Sequence, residues 1–238
     1  VIVGGRKDSE AYVSHKVKAC DEVGIESRTV KLAEDATEAQ VIEDVKALCQ
    51  DESVDAVIVQ LPLPKHIAEF AVLDAIPFEK DVDGFHPMNL GNKEAGGQVV
   101  GTLQSQYMTF GSTMSTFERD GHFSQVVGRS NIVGTPVALL LLQAHATVQV
   151  VHTRTDPLAL HRAISEADIL VACAGVPNLI KGEWIKEGAV VIDVGINAVP
   201  DATKKAGHRL VGDIEYAAAA ERASKITPVP GGVGPMTV

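Results

Sequence analysis

The stretch that decides the fold reads QVVGRSNIVGTP and spans residues 125–136. Apolar residues lead into Gly128, a short polar turn follows, and Gly134 opens the apolar run 136–142. This order predicts a buried strand, a tight turn and the first turn of a helix. Such a turn places backbone N–H groups and the positive end of a helix dipole where a pyrophosphate can bind. We therefore predict a dinucleotide site here.

The glycine spacing of this turn departs from the usual G-x-G-x-x-G fingerprint. Ser130 stands where the second glycine would be, Val133 where the third would be, and Gly134 comes one place late. Glycine turns between a strand and a helix also occur in α/β domains that bind no nucleotide, so the turn needs support from elsewhere. The cofactor-binding residues that we predict in it are Gly128, Arg129, Ser130, Ile132 and Gly134.

The next strand supplies that support. Residues 146–151 are short and rich in β-branched side chains, and they are followed by His152, Thr153, Arg154 and Thr155. In a dinucleotide site the tip of this second strand lies beside the adenosine ribose, where NAD-specific proteins commonly carry a carboxylate. Here the tip offers hydroxyl groups and a guanidinium instead. We therefore predict that Thr153 and Arg154 bind NADP, which is favoured over NAD.

The composition of the 238-residue chain is that of a soluble globular protein with one large or two modest domains, since 45% of residues are hydrophobic and 22% charged. A net charge of −10 argues against nucleic-acid binding, and no apolar run is long enough for a membrane span. The three cysteines lack metal-ligand spacing and read as reduced core thiols, so we predict no metal. We expect a cytoplasmic protein; an organellar location stays open, because the first residues look like a strand cut at its start.

Strand-like and helix-like segments alternate from the beginning of the chain, which predicts βαβ units and an α/β fold. The N-terminal segments are a strand at 1–3, a helix at 9–23 with Ser9 as N-cap, a strand at 27–30, a helix at 37–49 opened by a capping box, and a strand at 56–60. Prolines then punctuate residues 60–90 and indicate a domain junction. The second series of strands lies near 125–127, 146–151, 168–173 and 189–193, and residues 227–237 are too rich in proline and glycine for a helix or a central strand.

Several long motifs, in one order, resemble the bifunctional methylenetetrahydrofolate dehydrogenase/cyclohydrolase family. They read SEAYVSHK (9–16), QLPLP (60–64), DVDGF (81–85), GRSNIVG (128–134), VIDVGIN (191–197) and PVPGGVGPMT (228–237). The resemblance covers most of residues 1–92 and 125–238. A set of separate motifs is far more specific than any one of them.

The resemblance implies two βαβ-type domains with a cleft between them. The N-terminal folate and catalytic domain would span residues 1–90, joined by the tail 228–238, and the Rossmann-like NADP-binding domain would span 91–227. The expected activity is oxidation of 5,10-methylenetetrahydrofolate with NADP and hydrolysis of the product to 10-formyltetrahydrofolate, within one-carbon metabolism and purine biosynthesis. The expected partners are tetrahydrofolate one-carbon substrates and a second copy of the chain, a homodimer formed by the cofactor domains.

Tyr12 and Lys16 are four residues apart and therefore share one face of the predicted helix. Such a pair is usually a surface pair, but the family uses the lysine as its catalytic group with the tyrosine beside it. By resemblance, Gln60 positions the lysine and Asp83 binds the aminopyrimidine edge of the pterin, whereas Asp81 supports the loop. The remaining contacts implied in this way are Leu61, Pro230 and Gly231 to the folate and Ile196 to the cofactor.

Residues 93–124 depart from the family pattern, because the Pro-Cys-Thr-Pro motif expected there is absent and no proline occurs between Pro87 and Pro136. Thr102 or Ser105 are candidate substitutes for its threonine. The segment is a diverged but working cofactor loop, an altered sequence, or the mark of an enzyme that has lost normal cofactor binding. Retained activity is favoured because the lysine, glutamine and aspartate positions remain. The alternatives are a folate-binding paralogue or a cyclohydrolase with impaired dehydrogenase activity.

Overall fold

The computed structural model describes residues 1–86, 121–204 and 207–236 of the chain. These residues fall into two compact units, the first comprising residues 1–86 and the second the remainder. Thr102, Ser105 and the rest of the divergent segment up to residue 120 lie outside the described residues. Among the described helices, none is both long enough and apolar enough to cross a membrane.

The first unit alternates strands and helices. Its elements are β1 (Ile2–Val3), α1 (Lys7–Val23), β2 (Lys31–Leu32), α2 (Glu38–Gln50) and α3 (Glu69–Leu73). Strands β1 and β2 pair in parallel. The predicted strand at 56–60 forms only an isolated parallel bridge, between Val57 and Asp81, although the Gln60 N–H also donates to the carbonyl of Val1. Its buried valines, Val57 and Val59, nevertheless belong to the core of this unit.

Two local predictions for the first unit were wrong. Helix α1 begins two residues before Ser9, and its N-cap residue is Arg6, whose side chain makes no capping hydrogen bond. Ser9 is buried inside the helix. The strand predicted at 27–30 is replaced by β2, because only Lys31 and Leu32 stand opposite β1 in the parallel register. Pairing with a neighbour, rather than the β-branched content of 27–30, decides where the strand forms.

Helix α2 confirms the predicted capping box. The Thr37 hydroxyl accepts from the Gln40 N–H, and the Gln40 side chain accepts from the Thr37 N–H. Two of the donors that a helix start leaves unpaired are thereby satisfied. The inward face of α2 buries Val41 and Val45 completely against Val57, Val59 and other apolar residues of this core.

The second unit is built on a five-stranded parallel sheet with the order β4-β3-β5-β6-β9. Its elements are β3 (Phe123–Val127), α4 (Gly134–Gln143), β4 (Thr147–Val151), α5 (Pro157–Glu166), β5 (Ile169–Ala172), a 3₁₀ turn (Gly182–Trp184), β6 (Val190–Asp193), β7 (Asn197–Pro200), β8 (His208–Val211), α6 (Tyr216–Ala220), β9 (Lys225–Ile226) and α7 (Val233–Met236). Strands β7 and β8 form a separate antiparallel hairpin. The four strands predicted for this region are confirmed.

The sheet is covered on both faces, which is why β5 and β6 are continuous apolar runs rather than alternating ones. On one face Val126 and Val171 pack in a cluster with Val137 and Leu141 of α4. On the other face Val127, Leu170 and Val191 pack in a cluster with Leu160 and Ile164 of α5. The α/β class with a parallel sheet is therefore confirmed. Strand β4 lies on one side of β3, and β5, the next strand along the chain, lies on the other. The order of the strands therefore changes direction at β3.

The proline- and glycine-rich tail ends in a short helix that was not expected. Helix α7 spans Val233–Met236, and Val233 packs into the cluster that also contains Val137. Pro235 is compatible with this helix because it lies in the first turn, where the missing N–H would have no intrahelical partner. The attachment of the tail to the N-terminal domain stays a prediction.

We predict that Thr37→Ala lowers the free energy of unfolding of the first unit by about 1 kcal/mol, because the hydroxyl that accepts from the Gln40 N–H is lost. The measurement is urea-induced unfolding followed by circular dichroism. Thr29→Ala, at an exposed position between α1 and β2, is the matched control. Equal midpoints for the two variants would contradict the role of the capping box.

Candidate active site

The predicted glycine turn lies at the carboxyl end of β3, where three pieces of backbone meet. Gly128 has a φ of +140°, and a Cβ on it would overlap the backbone carbonyl of Cys173 at the end of β5. A Cβ on Gly134, the first residue of α4, would overlap the carbonyl of Gly128. The two close approaches that the fingerprint glycines normally permit are therefore both present, although the spacing differs.

Ser130 replaces the second fingerprint glycine with a hydroxyl that shapes the turn. Its Oγ accepts from the N–H groups of Val133, at 3.1 Å, and Gly134, at 3.4 Å. The side chains of Arg129 and Ser130 are exposed, whereas Ile132 is half-buried. The turn thus presents a cation and a hydroxyl to solvent at the start of α4, as an anionic pyrophosphate requires.

Thr153 and Arg154 lie beside this turn, because β4 pairs in parallel with β3 and Val151 stands opposite Val127. The Gly128 N–H donates to the Val151 carbonyl at 2.8 Å, which joins the two strand ends. Thr153 and Arg154 are both exposed. The nearest carboxylate along the chain is that of Asp156, which accepts from the first N–H groups of α5 and is held there as its N-cap. The predicted ribose position therefore carries a cation, and the carboxylate of Asp156 is engaged as a helix cap.

Ile196 follows β6 at the same carboxyl edge of the sheet and is 40% exposed. Two buried aspartates, Asp193 and Asp213, stand behind it, and sequence reasoning did not assign either of them a role. Asp193 ends the apolar strand β6, which is the signal that could have found it. Asp213 follows the partly polar strand β8 and Gly212, so it carries no such signal. In the structure their carboxylates accept hydrogen bonds from the segments that follow β5, β6 and β8.

The electrostatics of this aspartate pair are unusual. Burial, partly offset by hydrogen bonds from the N–H groups of Asp213 and Ile214, raises the pKa of Asp193 to about 6, and the nearby Asp213 carboxylate adds to the rise. Burial, together with the same two carboxylates, also raises the pKa of the Cys173 thiol to about 12. Cys173 is therefore a protonated thiol at neutral pH and behaves as a packing residue rather than as a nucleophile.

In the first unit, Tyr12 and Lys16 lie on one face of α1 as predicted, and both are half-buried. The charges of Lys16 and Asp83 both act on the buried nitrogen of Val1. Lys16 and Asp83 therefore both lie near the start of β1. The structure brings these two predicted residues to one region of the unit.

Gln60 lies at the same end of the unit, since its N–H donates to the Val1 carbonyl. Its side-chain nitrogen donates to the carbonyl of Leu61 at 2.8 Å. Its side-chain oxygen, Oε1, is buried and has no hydrogen-bond partner among the described residues. A buried acceptor without a donor is uncommon in native proteins and calls for a ligand or a moving side chain to complete it.

The loop around Asp83 is held by its neighbour Asp81, as the sequence predicted. Asp81 is buried, and its carboxylate accepts from the N–H groups of Gly84, at 3.0 Å, and His86, at 2.8 Å. In the second unit, Pro230 and Gly231 are exposed in the turn after β9, where Gly231 has a φ of +99°.

A pocket of about 450 Å³ lies beside the carboxyl end of β6. Asp193, Asn178, Arg209 and Tyr216 are among its lining residues. None of the predicted catalytic or cofactor-binding residues lines it, so the shape of the surface alone would not have located the site. Among residues 1–86, 121–204 and 207–236, no group of three or more histidine, cysteine, aspartate or glutamate side chains is arranged to hold a metal ion.

The parallel strand order, the crossover at β3 and the glycine turn define a dinucleotide-binding α/β protein. Comparison with family models then matches residues 1–83 to the tetrahydrofolate dehydrogenase/cyclohydrolase catalytic domain and residues 112–238 to the NAD(P)-binding domain of the same family. The chain belongs to the tetrahydrofolate dehydrogenase/cyclohydrolase family.

Individual relatives agree with this assignment. Bifunctional protein FolD 2 of Arabidopsis thaliana is 53% identical over 244 residues, covering 100% of this chain and 80% of the relative. The mitochondrial Bifunctional protein FolD 1 of the same plant is 47% identical over 241 residues, covering 100% of this chain and 68% of the relative. The crystal structure of Trypanosoma brucei FolD, complexed with NADP cofactor and inhibitor, superposes with a TM-score of 0.92 at 43% identity, covering 99% of this chain and 80% of the other.

We predict that Gly128→Ala weakens binding of the reduced cofactor NADPH at least tenfold, because the new methyl group must displace the end of β5. Titration of NADPH fluorescence measures the affinity. Gly207→Ala, at a position with positive φ but open space around the Cβ site, controls for backbone strain alone. If both variants bind equally well, the close approach at Gly128 is not essential.

We also predict a pH-dependent contribution of Asp193 to stability. A carboxyl group whose pKa is raised by folding stabilises the protein below its unfolded pKa of about 3.9, and this contribution is lost as the pH rises through about 6. The unfolding free energy of the wild type should therefore gain about 2 kcal/mol relative to Asp193→Asn between pH values of about 7 and about 4.5. Denaturant unfolding at several pH values checks this, and a constant gap would refute it.

Proposed function

We propose that this protein oxidises 5,10-methylenetetrahydrofolate to 5,10-methenyltetrahydrofolate with NADP and hydrolyses that product to 10-formyltetrahydrofolate. Family membership over both matched segments supports the pair of activities. So do relatives at 47–53% identity that are named as bifunctional proteins and a structural neighbour that is complexed with NADP.

The observation that carries the proposal is the arrangement at the start of β1. Lys16 and Tyr12 share a half-buried helix face, and Lys16 and Asp83 both lie near the nitrogen of Val1. The buried Oε1 atom of Gln60 accepts no hydrogen bond from the described residues. An N–H group of the Lys16 amine is the donor that we assign to this oxygen during the reaction. Gln60 would then fix the position of the Lys16 Nζ atom and leave its lone pair available for a proton.

In the hydrolysis step, the Lys16 Nζ atom accepts a proton from the water that adds to the methenyl carbon, and the phenol of Tyr12 helps to orient that water. The bond between the carbon and N5 then breaks, the hydroxyl proton passes to N5, and the carbon becomes the formyl group on N10. Asp83 holds the pterin through the paired N–H groups of its aminopyrimidine edge. Leu61, Pro230 and Gly231 are assigned to further folate contacts.

In the oxidation step the chain's residues act chiefly by orientation. Neither Gly128 nor Gly134 can carry a side chain, because a Cβ would overlap neighbouring backbone. The pyrophosphate would therefore meet backbone groups at these two positions. Arg154, with Thr153, is assigned to the 2′-phosphate, and Arg129 and Ser130 to the adjoining phosphates, because these groups are exposed at adjacent strand ends. Ile196 is assigned to the nicotinamide half. When bound there, NADP supplies the acceptor for the hydride.

The domain boundaries at residues 90 and 227, and assembly as a homodimer through the cofactor units, belong to the same proposal. The family models support the division, since they assign residues 1–83 and 112–238 to different domains. We place the protein in the cytoplasm; the mitochondrial designation of one relative makes an organelle the alternative.

The test mixes purified protein with 5,10-methylenetetrahydrofolate and either NADP or NAD and follows absorbance of the reduced cofactor. We expect turnover with NADP. In Lys16→Met, methenyl hydrolysis should fall by about a hundredfold or more, because the proton acceptor is lost. Lys18→Met, on the exposed side of the same helix, is the matched control and should keep wild-type rates.

Other outcomes would assign other functions. Hydrolysis of methenyltetrahydrofolate without turnover on either dinucleotide would indicate a cyclohydrolase that has lost its dehydrogenase activity. Folate binding without either reaction would indicate a binding paralogue and contradict the proposal. Hydrolysis at the wild-type rate in Lys16→Met would remove the lysine from the mechanism.

A further inference from the structure

Two buried carboxylates connect three segments at the carboxyl edge of the parallel sheet. Asp193 is the last residue of β6 and is 3% exposed. Asp213 is completely buried and is the second residue after β8. The hydrogen bonds that they accept come mostly from backbone amides rather than from cationic side chains. Such charged acceptors are strong and directional, and they fix the peptide groups that donate to them.

Asp213 holds the segment that follows β5. Its Oδ2 accepts from the N–H groups of Ala174, at 2.6 Å, and Gly175, at 2.8 Å. Its Oδ1 accepts from the side-chain nitrogen of Asn197, at 2.8 Å, at the start of β7. One carboxylate therefore joins the segments after β5 and after β6.

Asp193 holds Asp213 in turn. Its Oδ1 accepts from the N–H groups of Gly195 and Asp213, and its Oδ2 from that of Ile214, each at 3.0 Å. The contacts leave no room for side chains, because a Cβ on Gly195 would overlap the carboxylate of Asp213 and one on Gly212 that of Asp193. The two aspartates and the two glycines form one interlocked unit.

The segments held in this way lie on a defined side of the predicted cofactor site. The adenosine half belongs to the tip of β4, on one side of β3, so the nicotinamide half extends to the other side, over the ends of β5 and β6. Residues 174–175 and 195–197 form that surface, and Cys173 contacts the glycine turn directly. A shift of these segments would move the nicotinamide while leaving the phosphate contacts in place.

On the basis of the proposed function, we infer that Asp193 and Asp213 are positioning residues for hydride transfer. They hold the backbone after β5 and β6 in the geometry that aligns the nicotinamide half of the cofactor with the folate. Neither aspartate touches the reacting atoms in this assignment. Their contribution is to the rate of hydride transfer rather than to cofactor affinity or to hydrolysis.

The test compares wild type with Asp213→Ala, Asp213→Asn and Asn197→Ala. Asp201→Ala, at a half-buried position in the turn of the same hairpin, is the control. Asp213→Asn is the conservative variant: its amide oxygen can still accept from Ala174 and Gly175, and its NH₂ group can face Asn197 after that side chain flips. For each protein we would measure NADPH affinity, hydride transfer with and without deuterium on the methylene carbon, and methenyl hydrolysis without cofactor. Hydrogen exchange of residues 173–176 in the cofactor-free protein is the structural readout.

In Asp213→Ala we expect hydride transfer to fall by about ten- to a hundredfold, with a larger deuterium isotope effect, because misalignment of this size slows the chemical step. NADPH affinity and methenyl hydrolysis should stay within about threefold of wild type, and amide exchange at 173–176 should accelerate. Asp213→Asn should restore most of the rate. Asn197→Ala, which removes a single hydrogen bond, should show the same pattern with a smaller loss and serves if Asp213→Ala does not fold.

An unchanged hydride-transfer rate in folded Asp213→Ala or Asn197→Ala would overturn the inference. A parallel loss of NADPH affinity, hydride transfer and hydrolysis would also overturn it, because it would show a merely structural role. Failure of the proposed function is distinguishable, since it would appear as absence of dehydrogenase turnover in the wild type itself.

Discussion

The close approach of three backbone segments at the carboxyl end of β3 is the constraint on which the second unit depends. Gly128 lies against the carbonyl of Cys173, and Gly134 lies against the carbonyl of Gly128, so neither position can carry a Cβ. This contact sets how near α4 comes to the sheet and how closely β5 follows β3. It also brings the start of α4 and the tip of β4 to one exposed edge. The distances between the proposed phosphate and ribose positions are therefore a result of packing rather than of flexible loops.

The charges of the protein are distributed to suit this edge. Although the chain carries a net charge of −10, three carboxylates close to the predicted cofactor positions accept hydrogen bonds from backbone amides. Asp156 caps α5, and Asp193 and Asp213 accept from backbone amides. Arg129 and Arg154 are left exposed at the same edge. A dinucleotide phosphate that approaches this edge meets the two arginines, because these carboxylates are already hydrogen-bonded to backbone N–H groups.

The sequence predicted those features that depend on neighbouring residues. Strands β5 and β6 were found because a sheet covered on both faces requires continuous apolar runs, and α2 because its capping box lies within four residues. The prediction failed where partners distant in the chain decide the outcome. Strand β2 forms where β1 meets it and not at 27–30, and the Asp193–Asp213 pair joins segments about twenty residues apart. The catalytic roles proposed for Lys16 and Gln60 came from resemblance alone, because a Tyr/Lys pair at helical spacing is usually a surface pair. Only the structure shows that the buried Gln60 oxygen has no hydrogen-bond partner among the described residues.

Ser130, which stands where a glycine is usual, has a consequence for how a ligand would be received. Its hydroxyl is committed to the amides of Val133 and Gly134, so fewer N–H groups are offered to an incoming phosphate than in an all-glycine turn. In return, a serine has fewer backbone conformations to lose than a glycine, and the turn is already closed on itself. This turn therefore offers fewer N–H donors but is better ordered before binding, so ordering the loop reduces the binding free energy less.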